Sequence, residues 1–210
     1  MAASRQKPFG RFPQWSIFKR TPGLVLGFHG CDKSVAEKVL AGTESLEPSR
    51  NAYDWLGEGI YFWESDPWRA MQFAESAVTE PILSKGLVKT PYVIGAAIDL
   101  GLCCNLMEQE ALIEVREAHD FLEKAFELLD KKMPENKGKS MNARFRDKAV
   151  LEAMHRLRAR RKLVPYDTMR SVFWEGEPLY YTSGFNDKNH VQIAVRNPEC
   201  IRAYFRLPGL

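Results

Sequence analysis

Two short runs constrain this chain more than anything else in it. Leu24-Val25-Leu26-Gly27-Phe28-His29-Gly30 is apolar up to a His-Gly pair, which predicts a buried strand with a histidine at its end. About thirty residues on, Gly57-Glu58-Gly59-Ile60-Tyr61-Phe62 predicts a second strand, entered through a tight glycine turn. Between them Asp32 or Ser34 can cap a helix over about Val35 to Ala41, closed by Gly42.

The remaining elements follow from periodicity and punctuation. Ser65-Asp66-Pro67 supplies a cap and a first-turn proline for a helix over Trp68 to Thr79, with Ala70, Phe73, Ala74 and Ala77 inward. Pro91 to Leu100 reads as a buried strand. Leu112, Val115, Ala118, Leu122, Ala125 and Leu129 recur every three to four residues, which predicts a long amphipathic helix over Glu108 to Lys132. A second helix, about Ala143 to Arg161, follows a polar connector, so the pair is expected as an antiparallel hairpin inserted at about 106–162. Short β-rich runs return at Met169 to Trp174, Leu179 to Thr182, His190 to Val195 and Ile201 to Leu207. The order implies an α+β domain over 21–210 with mainly antiparallel sheets, preceded by a basic, aromatic arm over 1–20.

Composition narrows the function classes. Hydrophobic residues make up 45% and charged residues 27%, the balance of a globular chain, and no apolar run has the length of a membrane span. The first twenty residues are basic without a continuous apolar core, so cytoplasmic residence and no membrane partner are the expectation. Cys31, Cys103, Cys104 and Cys200 lack metal-ligand spacing, as do His119, His155 and His190, so no metal is expected and the thiols read as free and mostly buried. His190 is placed at most on the rim of a site. The net charge is only +3, but residues 131–162 hold twelve Lys/Arg against three acids. Arg156, Arg158, Arg160 and Arg161 form a candidate track for RNA or DNA; a solvated helix face is the alternative.

Taken together, His29-Gly30 and Gly57-Glu58-Gly59-Ile60-Tyr61-Phe62 resemble the NAD-binding core of ADP-ribosyltransferases of the diphtheria-toxin and poly(ADP-ribose) polymerase type. That resemblance implies a core of two mainly antiparallel sheets and NAD as substrate. It implies that His29 bonds the adenosine ribose, the Gly30 backbone clasps the nicotinamide carboxamide and Tyr61 stacks on the nicotinamide ring, with Gly59 in the turn and Phe73 closing the slot. It also places Gln192 where the family carries its catalytic Glu, ahead of an Asn197-Pro198-Glu199-Cys200-Ile201 turn into the last strand. A glutamine amide can accept a ribose hydroxyl but brings no charge to a developing ribosyl cation. Glu175 or Glu177, in Trp174-Glu175-Gly176-Glu177, can supply one, as the acidic loops of toxin-type members do.

Breaking the nicotinamide–ribose bond requires the amide held rigidly and the cation stabilised, which these residue types can do. The function expected is therefore a mono-ADP-ribosyltransferase of toxin or defence-effector type, modifying a macromolecule, nucleic acid ahead of protein, with an antitoxin protein as a candidate partner. An NAD glycohydrolase, or a non-catalytic NAD- or ADP-ribose-binding module, is the alternative.

Overall fold

The computed structural model describes residues 23–138 and 143–210, so the arm expected over 1–20 lies outside the described residues. The elements run β1 (Leu24–Asp32), α1 (Lys33–Leu40), β2 (Ile60–Glu64), α2 (Pro67–Thr79), β3 (Pro91–Asp99), β4 (Cys103–Asn105), α3 (Gln109–Leu128), α4 (Phe145–Arg160), β5 (Thr168–Phe173), β6 (His190–Val195) and β7 (Ile201–Arg206). The caps that the sequence points to are in use. Asp32 accepts from the Ser34 amide at 2.9 Å to start α1, and Asp66 accepts from the Arg69 amide at 2.9 Å, behind Pro67, to start α2.

The class is α+β, with one correction. The two sheets expected are one hydrogen-bonded sheet of seven strands, ordered β4-β5-β6-β2-β1-β3-β7. Its pairs are antiparallel except β4 with β5. The join between its halves is narrow. β1 pairs with β3 over its whole length, but with β2 only at Gly27↔Glu64 and Phe28↔Trp63. Beyond Phe28 the sheet therefore splits, with β1 following β3 and β2 following β6.

Alternation along the strands sorts the side chains onto two faces. One face buries Cys31, Ile60, Phe62, Ile94, Ile98, Ile193 and Val195 beneath Ala36 and Val39 of α1. The other carries two separate clusters. Phe28, Trp63 and Val93 pack on Ala70 of α2, while Met169 and Ala194 pack under Ala118, Leu122, Val150 and Met154 of the α3–α4 pair. The helical pair is as expected, but α3 ends at Leu128, and Leu112 and Leu129 of the expected apolar stripe are exposed.

Leu179 to Thr182 is not a strand. It is a turn held by a Pro178↔Asn186 bridge, with Leu179, Tyr180, Tyr181 and Phe185 exposed. Its β-rich composition meets no neighbouring strand, and β-propensity without pairing or burial does not make one.

Candidate active site at the split in the sheet

The split is organised by His29. Leu26 O accepts from Ser65 N at 2.8 Å, so Leu26, Phe28 and Gly30 turn their backbone groups toward β2 by the alternation of an antiparallel strand. Phe28 meets Trp63 there, but Gly30 lies past the end of the β1–β2 ladder. Its natural partner would be Tyr61, whose carbonyl instead accepts from His29 Nδ1 at 2.7 Å. The imidazole thus takes the bond that would have closed the sheet. By the strand's alternation Gly30 N–H and C=O lie on the β2 side of β1, outside the ladder, a donor and an acceptor side by side.

Because a carbonyl can only accept, that bond puts the proton of His29 on Nδ1 and leaves Nε2 as an acceptor. Burial lowers the His29 pKa, and the Tyr61 carbonyl opposes this more weakly, so the ring is neutral at pH 7. The imidazole packs on Phe62 at 5.7 Å, on the sheet face opposite the side chains of Tyr61 and Gln192.

Gly30 also has a packing reason to be glycine. A Cβ there would stand 2.2 Å from the carbonyl oxygen of Ala70, so α2 can lie on β1 only above a bare Cα. The backbone approach expected of this glycine is made to a helix on one face, while its polar groups point along the sheet into the opening.

Tyr61 is a fixed wall. Its hydroxyl donates to Gly57 O at 2.7 Å and accepts from Leu56 N at 2.9 Å, and burial raises its pKa well above the usual range. Tyr61 pairs with Ala194 and Trp63 with Gln192, so Tyr61 and Gln192 are diagonal neighbours on one face, about 7–8 Å apart. Gln192 is 8% exposed, and among the described residues its amide has no hydrogen-bond partner.

Three expectations change. Gly59 has no backbone group to offer a ligand, because its N–H and C=O are both bonded to Ser49, at 3.2 and 2.8 Å. Phe73 packs on Trp63 with the rings tilted by 40° and their centroids 5.1 Å apart, so the ring that α2 brings to the site meets Trp63. His190 is no rim residue. Its side chain is fully buried among Trp55, Trp63 and Phe173, at 6.3, 6.1 and 5.9 Å.

The two glutamates part company. Glu177 is exposed in the turn after Gly176. Glu175 folds inward, with Oε2 2.8 Å from an Arg69 guanidinium nitrogen and 3.7 Å from His190 Nδ1. His190 Nδ1 donates to Lys188 O at 2.7 Å, and burial lowers its pKa. Arg69 in turn lies over Trp63 at 5.6 Å. His190 is two residues from Gln192 on the same face, so the Arg69–Glu175 pair stands beside the unpaired amide. Arg69, Trp55 and Trp63 were not singled out as site residues from the sequence, and no local motif marks them.

The arginine track is broken. Arg158 forks onto both Glu114 oxygens at 2.9 Å, donates to Val164 O and lies 3.8 Å over the Tyr166 ring. Arg161 pairs with Glu117, and Arg160 lies over Phe121. The acids of α3 neutralise what a count along α4 leaves positive; of the four, Arg156 alone is exposed without a partner among the described residues. Cys31, Cys104 and Cys200 are buried free thiols and Cys103 is half-buried. No described helix is long and apolar enough to cross a membrane.

No family model matches the chain, and no solved structure matches it. It is 46% identical over 39 residues to the uncharacterized protein MJ0359 of Methanocaldococcus jannaschii, a match covering 19% of this chain and 18% of the archaeal one. The matching segment thus spans about a fifth of each chain.

Proposed function

We propose that the chain is an NAD-dependent mono-ADP-ribosyltransferase whose nicotinamide site is the split between β1 and β2. One observation carries the reading: His29 Nδ1 takes the Tyr61 carbonyl past the end of the β1–β2 ladder, so the Gly30 N–H and C=O stay outside that ladder. A carboxamide needs one donor and one acceptor at that separation, and a strand edge supplies both without reorganisation. His29 Nε2 is then free to accept a ribose hydroxyl.

In the reaction the bond between ribose C1′ and the nicotinamide nitrogen breaks, and its electron pair leaves on nicotinamide. The acceptor heteroatom bonds to C1′ and its proton passes to the Glu175 carboxylate. Gln192 accepts a ribose hydroxyl and orients the sugar. The negative charge near the ribosyl cation comes from Glu175, held by Arg69.

Nicotinamide release from NAD, followed with and without cell lysate, tests this. Release that depends on Tyr61 and Glu175, with ADP-ribose appearing on a macromolecule, is expected; NAD bound without release overturns the enzyme. Gln192 favours a second reading, an NAD- or ADP-ribose-binding module, because that position lacks the charge. Release without an acceptor would make the chain a glycohydrolase. The toxin or defence role, and an antitoxin partner, rest on the family resemblance.

A further inference from the structure

A cleft of about 640 Å³ lies between the helical pair and the end of β5. Its walls differ in kind. One is aromatic: Trp55 and Phe173 meet edge to face at 4.3 Å, and Trp174 stands beside them with 59% of its surface exposed. The other is cationic, with Arg116 on α3 and Arg144 and Arg146 at the start of α4 facing a single acid, Asp147.

Arg116 is exposed without a partner among the described residues. Arg144 pairs with Asp147 at 3.1 Å and lies 5.4 Å over Trp55, and its buried Nε has no partner among the described residues. Ser171, on the cleft wall, is the direct cross-strand partner of Gln192. The cleft wall at Ser171 therefore stands one strand spacing, about 5 Å, from the backbone of Gln192. Past Trp174 the chain turns outward through Tyr180 and Tyr181, the latter 95% exposed.

We infer that this cleft binds single-stranded nucleic acid, stacking a base against Trp55 and Trp174 and taking the flanking phosphates on Arg116, Arg144 and Arg146, and that it delivers that base to Gln192 as the ADP-ribose acceptor. The acceptor role rests on the transferase reading; the binding does not. Flat rings select a planar base, and surplus arginine selects a polyanion, so the combination favours a nucleotide strand over an acidic peptide. A duplex hides its base faces, so it should compete poorly.

Fluorescence anisotropy of a short mixed-sequence single strand, DNA or RNA, titrated with the full chain in the absence of NAD, is the test. Trp174→Ala is expected to weaken binding about 5- to 100-fold. Arg116→Glu should also weaken it, and affinity should fall about tenfold between 50 and 200 mM salt. Both side chains are exposed, so neither variant disturbs the core. The inference is overturned if both variants bind as the parent does, if duplex binds as tightly as single strand, or if the loss follows Arg156→Ala and Arg161→Ala instead. Nicotinamide release on the same preparations separates the two readings. Cleft-dependent binding without release leaves the cleft standing and removes the enzyme, whereas release and transfer indifferent to Trp174 and Arg116 remove the cleft.

Discussion

The two ends of the proposed site are built in opposite ways. At the split, the polar groups belong to the backbone of Gly30 and to His29 and Tyr61, whose side chains are tied into the strands and the 56–57 turn. At the far end, the polar groups are side chains gathered from β2, α2, the β5–β6 connection and β6, and several have capacity to spare. Five buried side-chain polar atoms lack partners among the described residues, and three of them, Trp63 Nε1, Arg69 Nε and His190 Nε2, lie in this cluster. Buried polar groups left open cost about 1–3 kcal/mol each, and they persist where a ligand or water completes them. The first end is a finished frame; the second is finished by what binds.

That contrast can be broken. The largest effect is expected at the open end. Glu175→Gln should lower transfer by about 10²–10⁴-fold while NAD binding, measured by titration calorimetry, is kept. Unchanged transfer would remove the carboxylate from the chemistry. At the framed end, Gly30→Ala forces a methyl group into the Ala70 carbonyl. It should destabilise the fold by about 1–3 kcal/mol, seen as a thermal midpoint lower by roughly 3–10 °C. An unshifted midpoint would mean that α2 does not sit on β1 as described.

Gln192→Glu sharpens the comparison by adding charge where the frame meets the open end. Nicotinamide release should rise about tenfold, equivalent to about 1.4 kcal/mol of the barrier. A fall would assign the amide a role that a carboxylate cannot fill.

The smallest effect concerns His155 on α4, whose ring lies 6.3 Å from that of Tyr166 and whose Nε2 is buried without a partner among the described residues. Burial pushes its pKa down to about 3, with Arg196 and Arg158 contributing. The unfolded chain then binds a proton that the folded chain refuses once pH falls below about 6.5. Stability should drop by about 1 kcal/mol between pH 7 and 5.5, and the decline continues toward pH 3. Denaturant titrations of His155→Phe should show a flatter pH slope, and NAD should leave that slope unaltered.

The frame was legible in the sequence because its parts are local. An apolar run ending in His-Gly, a glycine turn before Ile60-Tyr61-Phe62, and a capped proline start for α2 each depend on neighbours within a few residues. The open end was not. Arg69 reaches Glu175 across 106 positions, and Trp55 meets Phe173 only because the loop before β2 folds over β5. Charge counting failed for the same reason. Arg158 is spent on Glu114, 44 positions away on the packed helix, so a count along α4 overstates the charge at its C-terminal end. Leu179 to Thr182 shows the converse, a strand-like composition with no strand beside it to pair with.

The central claim is that Gly30 offers its backbone to a carboxamide. The glycine region of an amide proton–nitrogen spectrum reports on it directly. On titration with nicotinamide, then with NAD, the Gly30 cross-peak should move saturably in both cases, and His29→Ala, which removes the group holding the split open, should abolish the shift. A Gly30 cross-peak that stays in place while NAD binds elsewhere would contradict the account.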